Sequence, residues 1–290
     1  MGDLRVYVYH GIVDRKIDSY LERNFHLASE FRAQLEAMKH TRFLDVDEFE
    51  RELERPQGGK RDAALITFDD GYANNLDAAR ILRRLGIPWV LFATSGAIGR
   101  RNTIWTVELS LLLLHGRAKT FSLFGKRWRL DSAQDRFISF EAIRHFMKSL
   151  PSERCHAAMT KLRSAFPDGE TNRLLKRFPS MRSLSWVELR QLSDDGVTVG
   201  SHGVRHDIHH DGQPRSTRLY ELAESATVLS KRLRKKCDTF AYPNGDHTAT
   251  SGRLVASAGY RLAFTTVPRS VLPGTHRLMI PRCELPKAHP

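Results

Sequence analysis

The chain has 290 residues, with 46 basic against 33 acidic, a formal net charge of +13 and 41% hydrophobic content. That length suits one large domain with a substantial core or two small ones, and the composition is that of an ordinary soluble globular protein. The charge favours anionic partners, but the cluster "KRLRKK" (231–236) reads as a solvated helix face. With no accompanying recognition motif, no nucleic-acid partner is expected.

In chain order, "RVYVYH" (5–10) reads as a strand, "LASEFRAQLEAMKH" (27–40) as a helix capped by Ser29, and "DVDEFERELE" (45–54) as a second helix. "AALITF" (63–68) is a strand, "NLDAARILRRLG" (75–86) a helix closed by Gly86, and "WVLFAT" (89–94) a strand. The rhythm then breaks. Residues 95–184 read as an inserted, mostly helical subdomain, with a hairpin in "AKTFSLFGKRWRL" (118–130) turning at Gly125. It resumes with a helix at 185–196, a strand "VTVGSH" (197–202) and a long helix over about 216–234. A strand "DTFAYP" (238–243), a helix at 251–259 and a strand "YRLAFTT" (260–266) complete it. Alternating strands and helices imply right-handed crossovers and a parallel sheet, open or closed into a barrel, within a single domain over 1–290. Loops leaving the carboxyl ends of such strands gather on one face.

Three widely spaced cysteines, Cys155, Cys237 and Cys283, suggest neither a disulfide framework nor a CxxC site. The start "MGDLRVYVYHG" lacks a signal-peptide pattern, and "LSLLLL" (109–114) is too short to cross a bilayer. A cytoplasmic setting is the expectation, and peripheral contact with an inner membrane is compatible with the charge.

Two phrases carry candidate chemistry. "LITFDDGYANN" (65–75) places two adjacent carboxylates after a strand, and "VGSHGVRHDIHH" (199–210) places four histidines after another. Adjacent aspartates also cap helices and make turns, and an isolated HxxxH is a weak metal signal. Together, at two strand exits of one parallel sheet, they make a two-histidine, one-carboxylate site with a spare carboxylate to act as a base. His209 and His210 read as surface residues dispensable for metal.

"TFDDGY" (67–72) and "SHGVRH" (201–206) resemble the first two motifs of the polysaccharide deacetylases, the NodB-homology carbohydrate esterases. "FAYPNGD" (240–246) is similar to their third motif and "VYVYHG" to a common start; the resemblance covers roughly residues 1–95 and 185–270. It implies a distorted (β/α)7 barrel and a divalent metal, often zinc, used to remove N-acetyl groups from amino sugars. Asp70, His202 and His206 would hold the metal, Asp69 would be the general base, and the Asn244 backbone N–H would hold the oxyanion. Gly203 stands where the family often has Ser or Thr, Ala241 where it commonly has Arg, and Asn244 where it has Tyr. The C-terminal Leu-x-His has no clear counterpart, so His10 and His276 are the candidates for the general acid, with His10 favoured at its strand end. Tyr242, Arg282 and Trp105 are candidate substrate contacts; Arg282 has the further alternative of binding a catalytic carboxylate, and Trp128 and Trp186 could also stack on sugars. The basic hairpin residues Lys126, Arg127 and Arg129 are candidates for a phosphate-bearing part of the substrate.

The expected activity is N-deacetylation of an amino sugar in a saccharide or a lipid- or nucleotide-linked precursor, in O-antigen, capsule or exopolysaccharide assembly. Hydrolysis of a non-sugar amide and inactive binding of anionic glycans are the alternatives. The intact Asp69–Asp70–His202–His206 set argues against the last.

Overall fold

The structure, a computed structural model, describes residues 2–55, 61–99 and 103–286. Strands β1 (Leu4–Tyr9), β2 (Gly11–Val13) and β3 (Phe25–Leu27) lead into helix α1 (Ala28–Ala37). Ser29 does not cap that helix. Leu27 occupies the cap position, and the Glu30 carboxylate accepts its N–H at 2.8 Å. Strand β4 (Arg42–Phe43) and helix α2 (Val46–Leu53) follow, the latter capped by Asp45, whose carboxylate accepts from Asp47 and Glu48. Next come β5 (Ala63–Phe68), α3 (Asn75–Arg84) and β6 (Trp89–Ala93).

The segment after β6 contains α4 (Trp105–His115), the antiparallel hairpin β7 (Thr120–Leu123) and β8 (Lys126–Arg129), α5 (Ala133–Lys148), α6 (Ser152–Arg163) and α7 (Glu170–Arg177). Phe124 and Gly125 both adopt positive φ in the hairpin turn, as a tight two-residue connection requires. The segment's Leu109, Leu112, Phe121, Phe140, Met159 and Leu174 are buried in an apolar cluster that also takes in Val13, Leu21, Phe25, Tyr72 and Ile208 of the barrel's loops. The barrel order resumes with α8 (Trp186–Asp194), β9 (Thr198–Ser201), α9 (Arg215–Leu233), β10 (Thr239–Ala241), α10 (Ser251–Ser257) and β11 (Leu262–Phe264). Among the described residues no helix is long and apolar enough to cross a membrane.

The main sheet runs β1-β5-β6-β9-β10-β11, all pairs parallel, with β4 beside the start of β5. Residues 280–283 then join its two ends. Ile280 bridges Phe264 and Cys283 bridges Tyr7, so the ring closes as a distorted barrel of seven parallel members. Strand alternation divides the side chains. Val6, Leu65, Val90, Phe92, Phe264 and Ile280 form one cluster spanning the strands, the barrel interior, onto which α2 packs Val46 and Phe49. Tyr7, Ile66, Leu91 and Val199 face the other way, where residues of α1, α3, α8 and α9 cover them.

Candidate active site

All strands of the barrel point the same way, so their carboxyl ends gather on one face. His10 follows β1, Asp69 and Asp70 follow β5, His202 follows β9, and the turn 242–245 follows β10. A cavity of about 340 Å³ opens there, lined by His10, Asp69, Asp70, His202, His206 and Asn244 among others.

Asp69 extends the inward register of Leu65 and Thr67 and is buried. Arg282, on the closing segment, approaches it from inside the barrel. Its Nη1 donates to Asp69 Oδ1 and its Nη2 to Oδ2, both at 2.7 Å. The remaining guanidinium bonds go to Thr265 O at 2.8 Å and Thr67 Oγ1 at 3.2 Å, and the side chain is fully buried. Arg282 is therefore not a substrate contact; it clamps a carboxylate. Burial pushes the Asp69 carboxyl upward, but the charge of Arg282 and the bonds it donates outweigh it and hold the carboxyl below the usual range.

Asp70 turns away from that clamp because its backbone is left-handed, with φ 72°, followed by Gly71 at φ 82°. Its Oδ1 lies 3.4 Å from His202 Nε2 and 3.3 Å from His206 Nε2. His202 Nδ1 is 2.8 Å from Ala241 O, which makes Nδ1 the donor and leaves Nε2 as a lone pair facing Asp70. The three ligand atoms lie within 4.8 Å of one another, and Asp70 Oδ1 is buried with no hydrogen-bond partner. Burial pushes the His202 imidazole down to about 4, so it is neutral at pH 7. The neutral His202 imidazole, the His206 Nε2 beside it and a buried, unsatisfied carboxylate oxygen make a donor set that fits a divalent cation.

The loop carrying both histidines is held from outside the motif. His206 has φ 61°, and its carbonyl accepts from Trp105 Nε1 at 3.2 Å. Trp105 is buried there, away from the cavity lining, so the expected sugar contact is replaced by support of a histidine loop. Glu221 of α9, also buried, accepts the N–H groups of Val204 and Arg205, each at 2.9 Å. Gly203 has φ +79°, and a Cβ there would meet Glu221 Oε2 at 2.8 Å, which accounts for glycine at this position. Sequence reasoning missed Glu221, although its i, i+4, i+8 stripe with the buried Ser225 and Leu229 marks it as a carboxylate on an apolar face.

The remaining candidates fall in different places. Tyr242 is buried and its hydroxyl donates to Leu278 O at 3.0 Å, so it does not face the cavity. His276 lies on the segment before Ile280, outside the cavity lining, whereas His10 lines it. His209 is buried against Phe240 and Tyr242 rather than on the surface, and His210 is half-buried with Nε2 3.1 Å from Leu150 O. Trp128 and Trp186 do not line the cavity either. Asn244 lines it in a left-handed conformation, φ 59°, within a short 3-10 turn, and is exposed.

With this geometry in view, comparison with known proteins is decisive. The family model "Polysaccharide deacetylase" matches residues 57–263, more than two thirds of the chain. The chain belongs to the polysaccharide deacetylase family. It is thus a hydrolase of the carbohydrate esterase and amide hydrolase type. No curated protein matches it in sequence. Among solved structures, IcaB from Ammonifex degensii is similar at TM-score 0.64 and 18% identity, over 99% of this chain and 93% of that one. The Streptococcus pyogenes deacetylase PplD, in complex with acetate, matches at 0.63 and 16%, over 98% and 92%. The BpsB deacetylase domain from Bordetella bronchiseptica matches at 0.56 and 14%, over 97% and 95%. At these identities the likeness speaks for the barrel alone.

Proposed function

We propose that the chain is a divalent-metal-dependent N-deacetylase of an amino sugar, in a saccharide or a saccharide precursor. One observation carries the reading: His202 and His206 converge on the buried, unsatisfied Oδ1 of Asp70, beside an Asp69 that Arg282 reserves from them. Family membership and the solved deacetylases support the amino-sugar substrate.

Asp70, His202 and His206 would hold the metal, zinc being suited to two imidazoles and a carboxylate, and bound there it would polarise the amide carbonyl and acidify water. Asp69, kept ionised by Arg282, takes a proton from the attacking water as it adds to the carbonyl carbon. The Asn244 backbone N–H, presented by its left-handed turn, donates to the oxygen on which negative charge develops. His10, on the same cavity wall, gives a proton to the departing amine, so that acetate and a free amino sugar leave. A lipid- or nucleotide-linked precursor suits the charge of +13. Acetate release from an N-acetylated sugar, requiring both a divalent metal and Asp69, tests the proposal. Release from small non-sugar amides alone would replace it with the amide-hydrolase reading.

A further inference from the structure

The cavity wall also carries three cations that none of the catalytic roles uses: Arg23, between β2 and β3, and Arg144 and Lys148 on α5. Two of them share one carboxylate. Glu141 Oε1 lies 3.2 Å from Arg23 Nη1, and Glu141 Oε2 lies 2.5 Å from Arg144 Nη2. Arg144 Nε is buried with no hydrogen-bond partner. Lys148 has no ion pair among the described residues; its ammonium donates to the Asn244 side-chain oxygen, and the Asn244 amide in turn donates to Asp246. Burial and repulsion from Arg144 press the Lys148 ammonium below the usual lysine range; Asp246 opposes this, and Arg23 adds to it.

Both guanidinium groups lie over the Phe140 ring, at 5.6 Å for Arg23 and 5.8 Å for Arg144. Glu141 offsets one of these three charges, so this part of the wall keeps a net positive charge for an anion entering the cavity to meet. Glu284 also lines that cavity, and His10, Asp69 and Asp70 lie at its metal end. The basic hairpin does not take part. Lys126 sits over the Trp128 ring at 4.2 Å, Arg129 pairs with Asp131 at 3.2 Å, and none of Lys126, Arg127 and Arg129 lines the cavity.

We infer that Arg23, Arg144 and Lys148 form a subsite for an anionic group, phosphate or carboxylate, carried on the acetamido sugar or on the unit joined to it. The inference rests on the deacetylase reading and adds the charge class of its substrate. The subsite is assembled from the first loop of the barrel and from the inserted segment. Through Asn244, Lys148 also ties it to the turn that presents the oxyanion donor.

Binding separates the subsite from the chemistry. It is measured by calorimetry at low salt on Asp69→Asn protein supplied with zinc, which keeps turnover from interfering. The probes are N-acetylglucosamine 1-phosphate, a disaccharide of N-acetylglucosamine and glucuronic acid, and neutral N,N′-diacetylchitobiose. At least one anionic probe is expected to bind about tenfold tighter than the neutral one, the worth of a charge-assisted contact in a partly solvated site. Which one does so tells phosphate from carboxylate. Arg144→Gln and Lys148→Gln should each cut that ratio about threefold or more, and added salt should shrink it. Lys126→Gln, on the hairpin, should leave it alone. Equal binding of all three probes, or a ratio that survives both substitutions, overturns the subsite. Acetate release by the wild-type protein without any charge preference in binding would reject the subsite and keep the deacetylase. A charge preference without acetate release from any amino sugar would do the reverse.

Discussion

Arg282→Gln removes the clamp on Asp69 without touching any metal-ligand candidate. Wild-type Arg282 spends both terminal nitrogens on Asp69 at 2.7 Å, with no exposed surface on its own side chain. Breaking such a buried pair from one side costs about 3–5 kcal/mol of folding stability, because the partner charge stays behind without its counter-ion. The same loss removes the strongest charge holding the Asp69 carboxyl down, while the burial that pushes it up remains. Asp69 must be ionised to act as a base, so the acid limb of the kcat/KM profile should move to higher pH. The maximal rate should also fall, by about 10²-fold or more, as the base loses its fixed position. Arg282→Lys keeps the charge but not the planar fork, and should give an intermediate shift with a smaller loss of stability. The assays are urea unfolding and acetate release as a function of pH. A folded Arg282→Gln protein with wild-type rate and an unmoved acid limb would refute the claim that this arginine sets the state of the base.

Two further substitutions probe the supports of the site. His209 is buried without a hydrogen-bond partner on either ring nitrogen, and burial pushes its imidazole down to about 3. Its folded value is depressed, so the stability it allows is complete above the unfolded value of about 6.5 and is lost as pH falls toward the folded one, about 2 kcal/mol by pH 5. His209→Phe should flatten that acid-side loss in urea unfolding, and an unchanged slope would show that another group causes it. Trp105→Phe deletes the bond to the His206 carbonyl, worth about 1 kcal/mol, and should weaken zinc about fivefold in a competition titration. Full retention of affinity would make Trp105 a packing residue only.

What could be read in the sequence was the chemistry written in neighbouring residues. Asp69 and Asp70 are adjacent, and His202 and His206 are four apart, so a strand exit and a short loop deliver each pair intact. The principal barrel strands were legible because Ala63–Phe68 and Trp89–Ala93 are apolar runs between helical repeats. Arg282 was harder, since its partner lies 213 residues away and only closure of the barrel by residues 280–283 joins them. Four residues are too few to show a period, and an arginine among them looks like a surface charge. Tyr242 and Trp105 invited the sugar reading because aromatics near a motif are chemically suited to it, yet both polar tips are used inside the protein. Arg144 and Lys148 lie four apart on α5, a spacing that reads as a solvated helix face until the fold sets it against the cavity.

The central claim is that two adjacent carboxylates have divided roles, one for the metal and one for the proton. It is tested most directly by measuring bound zinc and acetate release together in wild type, Asp69→Asn and Asp70→Asn. Wild type should bind about one zinc per chain and release acetate from an N-acetylated sugar, as a three-ligand site with an open position predicts. Asp69→Asn should keep its zinc and lose about 10²- to 10⁴-fold in rate. Asp70→Asn should lose the zinc itself. Zinc lost from Asp69→Asn and retained by Asp70→Asn would contradict the division of roles, and full acetate release by both variants would contradict the site.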